Sequence, residues 1–388
     1  MQAEVARTFL PALLSPDGLG PSCVEVAPAL DAAWLNLHRL SPYVFYRLQQ
    51  AGLLGCLPDA VRAALQLSYY KAVANHTVLT SELDALLVEL RAQDVNPIVL
   101  KGMALGVTLY PSPTTRPTLD LDLLVERDQL GLVRKVLEVR GYRDKGLNQE
   151  RRQAFCSHLH MWRESPRIMV EAHWHLVHDP GYARRVDLGG FYSRARPADF
   201  GGYSALVLDP MDQLIHACAH LSFTHNQNWD LLWLLDLGLL VQCYRQSWDW
   251  AEVASRSEKL GLAGSVLYWL ELTETWYGAL VPAQARQALA RAKPGAEESW
   301  YIEKSRLAKA RVWNFAWRRA FGGADLKRGL AYLGEIFFPP WAYMQYRYGA
   351  RTRWLAPVYY AWRLVRASWV AFRRVGPASA SGRMPRPG

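Results

Sequence analysis

Two aspartates separated by one residue are the side chains of this 388-residue chain that most clearly suggest chemistry. Asp120 and Asp122 alternate with leucines in the segment Leu119–Val125, a pattern typical of a β-strand with one buried face. On such a strand the two carboxylates share one face, about 6.5 Å apart, and repel each other. Two interpretations are open: a divalent cation that compensates the repulsion, or a solvent-facing edge strand with two harmless aspartates.

A third carboxylate favours the metal site. Glu171 is flanked by apolar residues in the middle of Arg167–His175, a second candidate strand in the same part of the chain. Three clustered carboxylates are what two-metal phosphoryl transfer requires, with one ion activating the attacking oxygen and the other steadying the leaving oxygen. The sequence therefore predicts a catalytic metal site made of Asp120, Asp122 and Glu171.

Candidate phosphate ligands precede the aspartates. Lys101 and Gly102 end the apolar segment Asn96–Gly102, which predicts a short buried strand followed by a short helix over Met103–Tyr110. Such a junction offers backbone N–H groups and an ammonium group to phosphate oxygens, although many strands end in Lys-Gly. Arg116, in a loop rich in Pro and Thr, is either a phosphate clamp or an ordinary solvated arginine.

Histidines accompany the carboxylates. His173 and His175 share the face of Glu171 on its predicted strand, and His-x-His spacing can bind zinc. We favour a position in the wall of the site, where they hydrogen-bond the carboxylates or position an acceptor. His216 and His220 share a helix face at i, i+4, and there too a structural or substrate-wall role is favoured over zinc.

One further pattern consists of short segments spread along the chain: Leu100–Gly102, Tyr110–Pro111, Arg116, Asp120–Val125, Gly141–Tyr142, Val170–Trp174, the helical stretch His216–Asp236 with His220 and Trp229, Phe337–Pro340 and Tyr359–Tyr360. These segments resemble the nucleotidyltransferase superfamily that includes DNA polymerase beta, and more narrowly the bacterial uncharacterised nucleotidyltransferase family. The resemblance covers the chain from about residue 76 to 365 and is strongest in the Asp-x-Asp segment.

The resemblance implies transfer of a nucleoside monophosphate from an NTP, with ATP as the expected donor, to a hydroxyl acceptor. It implies two Mg²⁺ ions, with Mn²⁺ as an alternative. Asp120 and Asp122 would bind both ions, and Glu171 would bind the catalytic one and help to deprotonate the acceptor. Lys101 and Gly102 would hold the triphosphate, but Lys-Gly departs from the superfamily's Gly-[Gly/Ser], and the Pro/Thr loop lengthens the spacing to Asp120.

Hydrophobic periodicity outlines the architecture. Strand–helix–strand order predicts an α+β protein: a small mixed-sheet α/β core flanked by largely helical N- and C-terminal regions. Val78 and Leu79 begin an apolar helical stripe that continues to Leu90. Asp236, alone in an apolar helical stretch, needs a buried partner, for which a histidine or arginine is expected. The predicted divisions are a helical N-terminal region (1–75), the nucleotidyltransferase-like core (76–207), a helical domain (208–300), a basic, aromatic-rich helical segment (301–375) and a disordered tail (376–388).

The net charge of +10 is concentrated at the C-terminal end, where residues 301–388 hold 17 basic and 3 acidic residues. Arginines and tryptophans interleave there, as in Trp362–Arg366 and Trp369–Arg374. Three interpretations are open for residues 301–375: a helix pair packed on the body with solvated arginines, a helix on an anionic membrane surface, or a surface for RNA or another polyanion.

Composition excludes several classes of protein. A hydrophobic fraction of 51% excludes a mostly disordered chain, and the sequence predicts neither a membrane-spanning helix nor a signal peptide. Five cysteines without a CxxC pair predict a reducing, cytoplasmic setting, with attachment at the membrane periphery as an alternative. The motifs of P-loop NTPases, Rossmann dehydrogenases and α/β-hydrolases are absent from the sequence.

The leading hypothesis is a Mg²⁺-dependent nucleotidyltransferase whose acceptor is a small molecule, sugar, peptide or protein, or RNA. The main alternative is a non-catalytic nucleotide- or polyanion-binding module, attached to a membrane surface or nucleic acid through its Arg/Trp-rich C-terminus. A third is a toxin-like enzyme that acts on tRNA. Three retained carboxylates argue for the first hypothesis over the second.

Overall fold

A computed structural model describes most of the first 292 residues and parts of the remainder. The described residues are 3–16, 18–144, 158–176, 187–225, 229–279, 281–292, 294, 298–299, 302–303, 305, 338, 341, 344, 352–363 and 365. The described residues fall into two compact units, the first within residues 1–302 and the second within residues 303–384.

The first unit opens with a run of helices. The longest of them, α5, has a buried stripe that repeats at helical spacing and includes Leu79, Leu83, Leu86 and Leu90, as predicted. Val78 departs from the prediction, because its side chain lies on the outer side of the helix and is 39% exposed. The helices are α1 (Ala3–Leu14), α2 (Pro21–Val26), α3 (Ala32–Leu37), α4 (Ser41–Gln50) and α5 (Asp59–Arg91).

A six-stranded mixed sheet follows, with spatial order β3-β4-β2-β1-β6-β5. The strand β1 pairs antiparallel with β2 and parallel with β6, and β2 pairs parallel with β4. The hairpins β3–β4 and β5–β6 form the two edges. The strands are β1 (Ile98–Val99), β2 (Leu121–Leu124), β3 (His158–Glu164), β4 (Arg167–His173), β5 (Arg196–Asp199) and β6 (Ser204–Val207).

The strand that carries the aspartates is shorter than predicted. The strand β2 begins at Leu121, so Asp120 immediately precedes it and Leu119, expected in the core, is 69% exposed. All four side chains of β2 are buried, and the helix that follows β1 contacts this strand. The second candidate strand is confirmed as β4, but it ends at His173, so His175 lies just beyond it.

Helices connect and follow the strands. The helix α6 directly succeeds β1 and contacts β2, so that the β1–α6 junction meets the aspartate strand. Further helices of the first unit are α6 (Lys101–Leu109), α7 (Leu130–Val139), α8 (Leu188–Arg194), α9 (Pro210–His220), α10 (Leu231–Tyr244), α11 (Trp250–Lys259), α12 (Ala263–Tyr277) and α13 (Ala283–Arg291). Short 3₁₀ turns cover Ala27–Ala29, Leu54–Cys56, Pro113–Thr115, Arg127–Gln129 and Arg353–Leu355, and a π-helical turn covers Leu221–His225.

The predicted α+β fold class is confirmed, because helices precede and follow the strands of the mixed sheet along the sequence. Within the described parts of the chain, every helix falls short of the length or the hydropathy that crossing a bilayer requires. The five predicted divisions remain predictions, and α5 runs without a break through residues 75 and 76. Most of segment 301–375 and all of tail 376–388 lie outside the described residues.

Candidate active site

Parallel pairing of β2 and β4 brings two of the predicted carboxylates together. Asp122 lies directly opposite Glu171 in the register of the two strands, so their side chains project from the same face of the sheet. The Asp122 side chain is buried, and that of Glu171 is mostly so. Asp120 lies half-buried at the beginning of β2, two residues before Asp122. The sheet therefore gathers the three acids predicted from the sequence.

Lys101 joins this group from the beginning of α6, just after β1. The backbone N–H of Leu100, the residue after β1, donates to the carbonyl oxygen of Asp122 at 2.9 Å and fixes the β1–α6 junction beside β2. The Lys101 ammonium then donates to Asp122 Oδ1 at 2.7 Å and lies 3.6 Å from Glu171 Oε2. In this arrangement the predicted phosphate-binding lysine is engaged with the carboxylates.

His173 completes the group from the end of β4. Its Nε2 lies 2.8 Å from Asp122 Oδ1 and 3.2 Å from Glu171 Oε2, and the ring is buried. An imidazole N–H at this position donates to the carboxylates and orients them. The position in the wall of the site that the sequence favoured for His173 over zinc binding stays a prediction, since His173 could also hold a metal ion together with Asp122 and Glu171.

The pKa values of the three acids are shifted in different directions by their surroundings. Burial, together with the charges of Asp122 and Glu171, raises the pKa of Asp120 to about 7. Burial acts in the same direction on Asp122, but the Lys101 charge and the His173 hydrogen bond outweigh it and hold the pKa of Asp122 well below its ordinary value. The pKa of Glu171 is also lowered, because the His173 hydrogen bond and the Lys101 charge overcome burial and the repulsion from Asp122. Negative charge in the site thus exceeds what one lysine balances.

The family comparison agrees with this geometry. A family model described as "Uncharacterised nucleotidyltransferase" matches residues 29–278, more than half of the chain and all of the site described above. The chain belongs to the uncharacterised nucleotidyltransferase family. It is accordingly an enzyme of nucleotidyl transfer, with an NTP as substrate. No curated protein matches the chain.

The ion-pair partner of Arg116 in this nucleotidyltransferase is Asp236. Its guanidinium binds Asp236 in a bidentate, buried ion pair, with Nε 2.9 Å from Oδ1 and Nη2 2.7 Å from Oδ2. The Tyr110 hydroxyl donates to the same Oδ1 at 2.6 Å. The expectation that Asp236 has a buried histidine or arginine partner is confirmed. The predicted contact between Arg116 and phosphate stays a prediction, and it would require sharing this guanidinium.

Gly102 of the nucleotidyltransferase lies where two chain segments approach closely. A Cβ at this position would come within 2.5 Å of Thr118 Cγ2 and 2.9 Å of Arg116 Nη1. Real Cβ atoms do not approach other heavy atoms so closely, so the packing at this turn requires glycine. Gly102 thereby lets the Pro/Thr loop pack on the β1–α6 junction, close to Lys101.

Two other histidines considered for the wall, His216 and His220, line a cavity together with Lys101. The cavity has a volume of about 40 Å³, and its wall also includes Trp233. Burial, with the charge of Lys101, lowers the pKa of His216 to about 3, so that its ring is neutral. His220 Nε2 lies 2.9 Å from His225 Nε2. This cavity connects His220 with the lysine of the site.

Sequence reasoning missed two histidines of this sheet, His158 and His160 on β3. Among the described residues, two groups could hold a metal ion: Asp122 with Glu171 and His173, and Glu171 with His158 and His160. His175 belongs to neither group. The signal for the missed pair was the spacing of His158 and His160 in a segment of alternating residues, which is typical of a strand.

Proposed function

We propose that this nucleotidyltransferase moves a nucleoside monophosphate from a Mg²⁺-bound NTP, with ATP as the expected donor, to a hydroxyl of its acceptor. The acceptor classes that remain open are a small molecule, a sugar, a peptide or protein, and RNA. The observation that carries the proposal is the parallel register that sets Asp122 opposite Glu171, with Asp120 two residues before Asp122. Family membership supports the reaction class, and the register supports the assignment of residues.

The three acids suit Mg²⁺ as the cofactor. Carboxylate oxygens are the hard ligands that Mg²⁺ binds through one or two protein groups together with substrate phosphates. The pKa of Asp120 is raised by burial and by repulsion from Asp122 and Glu171, which the Lys101 ammonium leaves partly uncompensated. Asp120, Asp122 and Glu171 would hold the metal. When bound, Mg²⁺ neutralises triphosphate charge and acts as a Lewis acid.

The proposed reaction exchanges one phosphorus–oxygen bond for another. The acceptor oxygen forms a bond with the α-phosphorus, and the bond from that phosphorus to the bridging oxygen breaks, releasing pyrophosphate. Glu171 receives the proton of the acceptor hydroxyl as a general base. His173 orients the carboxylates of Asp122 and Glu171 through its hydrogen bonds. Catalysis then rests chiefly on positioning and on charge stabilisation.

Two residues beside the carboxylates are assigned to the triphosphate. The Lys101 ammonium lies beside both Asp122 and Glu171. It would therefore be close enough to the metal ligands to contact the phosphate oxygens of a bound triphosphate. Gly102 follows it at the beginning of α6, where backbone N–H groups are available. His220 and His175 are assigned to the wall that receives the base or acceptor, and Arg116 to a phosphate contact.

Calorimetry with each NTP in the presence of Mg²⁺ tests the proposal directly. The wild-type protein should bind at least one NTP saturably and only with the metal. The double variant Asp120→Ala/Asp122→Ala should lose this binding, because it removes two of the three carboxylates. Asp122→Asn should abolish transfer of label from an α-³²P-labelled NTP to acceptors in a cell extract, while circular dichroism shows an intact fold.

A matched aspartate provides the control. Asp128 is exposed in the 3₁₀ turn that follows β2, so Asp128→Asn removes one carboxylate close to the same strand and should leave NTP binding and transfer unchanged. Full transfer activity in Asp122→Asn would refute the proposal. Metal-dependent NTP binding without transfer to any extract fraction would favour the alternative of a non-catalytic nucleotide-binding module.

A cytoplasmic location is part of the same proposal. Among the described residues, Cys23, Cys56, Cys218 and Cys243 are free thiols, which supports a reducing compartment. Contact of segment 301–375 with RNA or an anionic membrane stays a prediction. Deleting residues 301–388 would test it: lost RNA binding or lost liposome binding would identify the surface involved.

A further inference from the structure

A second group of side chains lies on the same sheet face, on the far side of Glu171 from the aspartates. His158 and His160 alternate along β3, so both imidazoles project from one face. In the antiparallel register of β3 and β4, His160 lies opposite Glu171 and His158 opposite His173. The ring centroids of His158 and His160 are 4.1 Å apart. Two imidazoles and one carboxylate therefore converge here.

The spacing of the ligand atoms suits a single ion. Each of His158, His160 and Glu171 presents one ligand atom within 4.8 Å of the other two. His160 Nε2 lies 3.4 Å from Glu171 Oε1. Two ligands of a tetrahedral ion with bonds of about 2.0–2.1 Å lie about 3.3 Å apart, so this pair is already at ligand spacing.

Glu171 turns its two oxygens toward different neighbours. Oε1 faces His160, whereas Oε2 lies 3.2 Å from His173 Nε2 and 3.6 Å from Lys101 Nζ. The oxygen that faces the β3 histidines is therefore separate from the one engaged on the Asp122 side. The side chain of His160 is 29% exposed, which gives an ion a path of entry from solvent.

The donor atoms select the class of ion. Imidazole nitrogens suit Zn²⁺ and neighbouring transition metals, whereas Mg²⁺ requires oxygen ligands. Two histidines and one glutamate with an open position are also a recurring donor set of zinc sites. We propose that His158, His160 and Glu171 form a transition-metal site that adjoins the carboxylate site. This site binds Zn²⁺ in the absence of nucleotide. The zinc site goes beyond the proposed nucleotidyl transfer, although Glu171 belongs to both sites.

Zinc titration of the full-length, tag-free protein tests this site. With excess Mg²⁺ present and no nucleotide, calorimetry should show one equivalent of Zn²⁺ bound by the wild-type protein. His160→Gln should weaken Zn²⁺ affinity at least about tenfold, the lower end of what disturbing even an outer partner of a metal ligand costs. Co²⁺ should give a visible absorption band in the wild-type protein that His160→Gln weakens.

A neighbouring histidine serves as the matched control. His175 lies outside both candidate metal groups of the described residues, so His175→Gln should bind Zn²⁺ like the wild type. His158→Gln should weaken binding as His160→Gln does. Because His158 is buried and its variant could fail to fold, the more exposed His160 decides the outcome. Equal Zn²⁺ affinity in wild type and His160→Gln, or displacement of Zn²⁺ by excess Mg²⁺, would overturn the proposal.

One variant separates this proposal from the proposed function. Asp122 belongs to the other group of potential ligands, so Asp122→Asn should lose Mg²⁺-dependent NTP binding and keep Zn²⁺ binding. Loss of both in Glu171→Gln would agree with its shared position. A wild-type protein that binds NTP with Mg²⁺ but takes up no Zn²⁺ would refute the zinc site alone.

Discussion

Lys101 shows how backbone geometry and site chemistry meet in one residue. Its φ of +47° lies in the left-handed region, which costs a residue with a Cβ about 1 kcal/mol or more. This conformation turns the chain from β1 into α6, and it accompanies an ammonium group set against Asp122 and Glu171. A strained residue at such a junction is typical of a functional site rather than of a simple connection.

The glycine that follows offers a test of the junction. Gly102→Ala should destabilise the protein by about 1–3 kcal/mol, because the new methyl group overlaps Thr118 and the neighbour must shift. Chemical denaturation measures the change in the free energy of unfolding. Gly131 provides the control, since a Cβ there in α7 meets nothing within 4 Å, and Gly131→Ala should stabilise by about 0.5 kcal/mol. Equal stability of wild type and Gly102→Ala would contradict the close approach.

At this scale the sequence predicted the carboxylates well and their neighbours poorly. Alternation with leucines placed Asp122 on a strand face, and Glu171 followed from its apolar flanks. The partner of Arg116 was beyond sequence reasoning, because Asp236 is 120 positions away and only tertiary packing joins them. His158 and His160 carried a spacing signal, but their pairing with Glu171 depends on the register of the β3–β4 hairpin.

A buried glutamate links three elements of the first unit. Glu82 lies on the inner face of α5, and its carboxylate accepts from Arg140 Nε at 2.9 Å, from Tyr142 Oη at 3.0 Å and from Arg163 Nη2 at 2.6 Å. Arg140 follows α7, and Arg163 belongs to β3. The longest helix is thereby joined to the edge of the sheet that carries His158 and His160.

Removing this charge should loosen all three elements. Glu82→Gln should lower the free energy of unfolding by about 3 kcal/mol, because the largely buried Arg163 loses its counter-charge and Arg140 keeps only the more exposed Glu89. Glu89 offers a matched control two helical turns further along α5, since it also pairs with Arg140 but is 42% exposed. Glu89→Gln should change stability by less than about 1 kcal/mol. Similar losses in the two variants would show that burial of Glu82 adds nothing.

The elements themselves were predicted with uneven success, for a physical reason. The apolar stripe of α5 and the apolar run of α10 were predicted as helices from their hydrophobic pattern. The hairpin β5–β6 was not predicted, because each strand has only four residues and the sequence of β5, Arg-Pro-Ala-Asp, contains a proline, two charged residues and no large apolar side chain. The strand β1 has only two residues, and its extended conformation depends on pairing with β2 and β6 more than on its own sequence.

Across the whole unit, the pair of Arg116 and Asp236 connects the loop before the aspartate strand to helix α10. Both side chains are buried, and the Tyr110 hydroxyl adds a third member. A buried ion pair of this kind contributes less to net stability than to holding one arrangement of chain, since desolvation opposes the attraction. The site residues on β2 thus depend on a helix more than a hundred residues later in the chain.

Breaking the pair in two ways separates stability from nucleotide binding. Asp236→Leu alone should cost about 3–5 kcal/mol, because it leaves the Arg116 guanidinium buried without a counter-charge. The triple variant Tyr110→Phe/Arg116→Met/Asp236→Leu should recover most of that loss, as measured by denaturation. No recovery would contradict the ion-pair account. NTP affinity that falls in the folded triple variant would support the phosphate contact predicted for Arg116.

The two-residue strand β1 has a consequence for the speed at which the sheet is completed. It holds β2 on one side and β6 on the other, yet β6 arrives more than a hundred residues later in the chain. Strands that are distant in the sequence can pair only after a long loop has closed. Loop closure loses chain entropy before the stabilising contacts form, which slows folding. The hairpin β3–β4 needs no such closure. We therefore expect the half of the sheet that carries Asp122 and Glu171 to assemble first, with the return of β6 as the slow step.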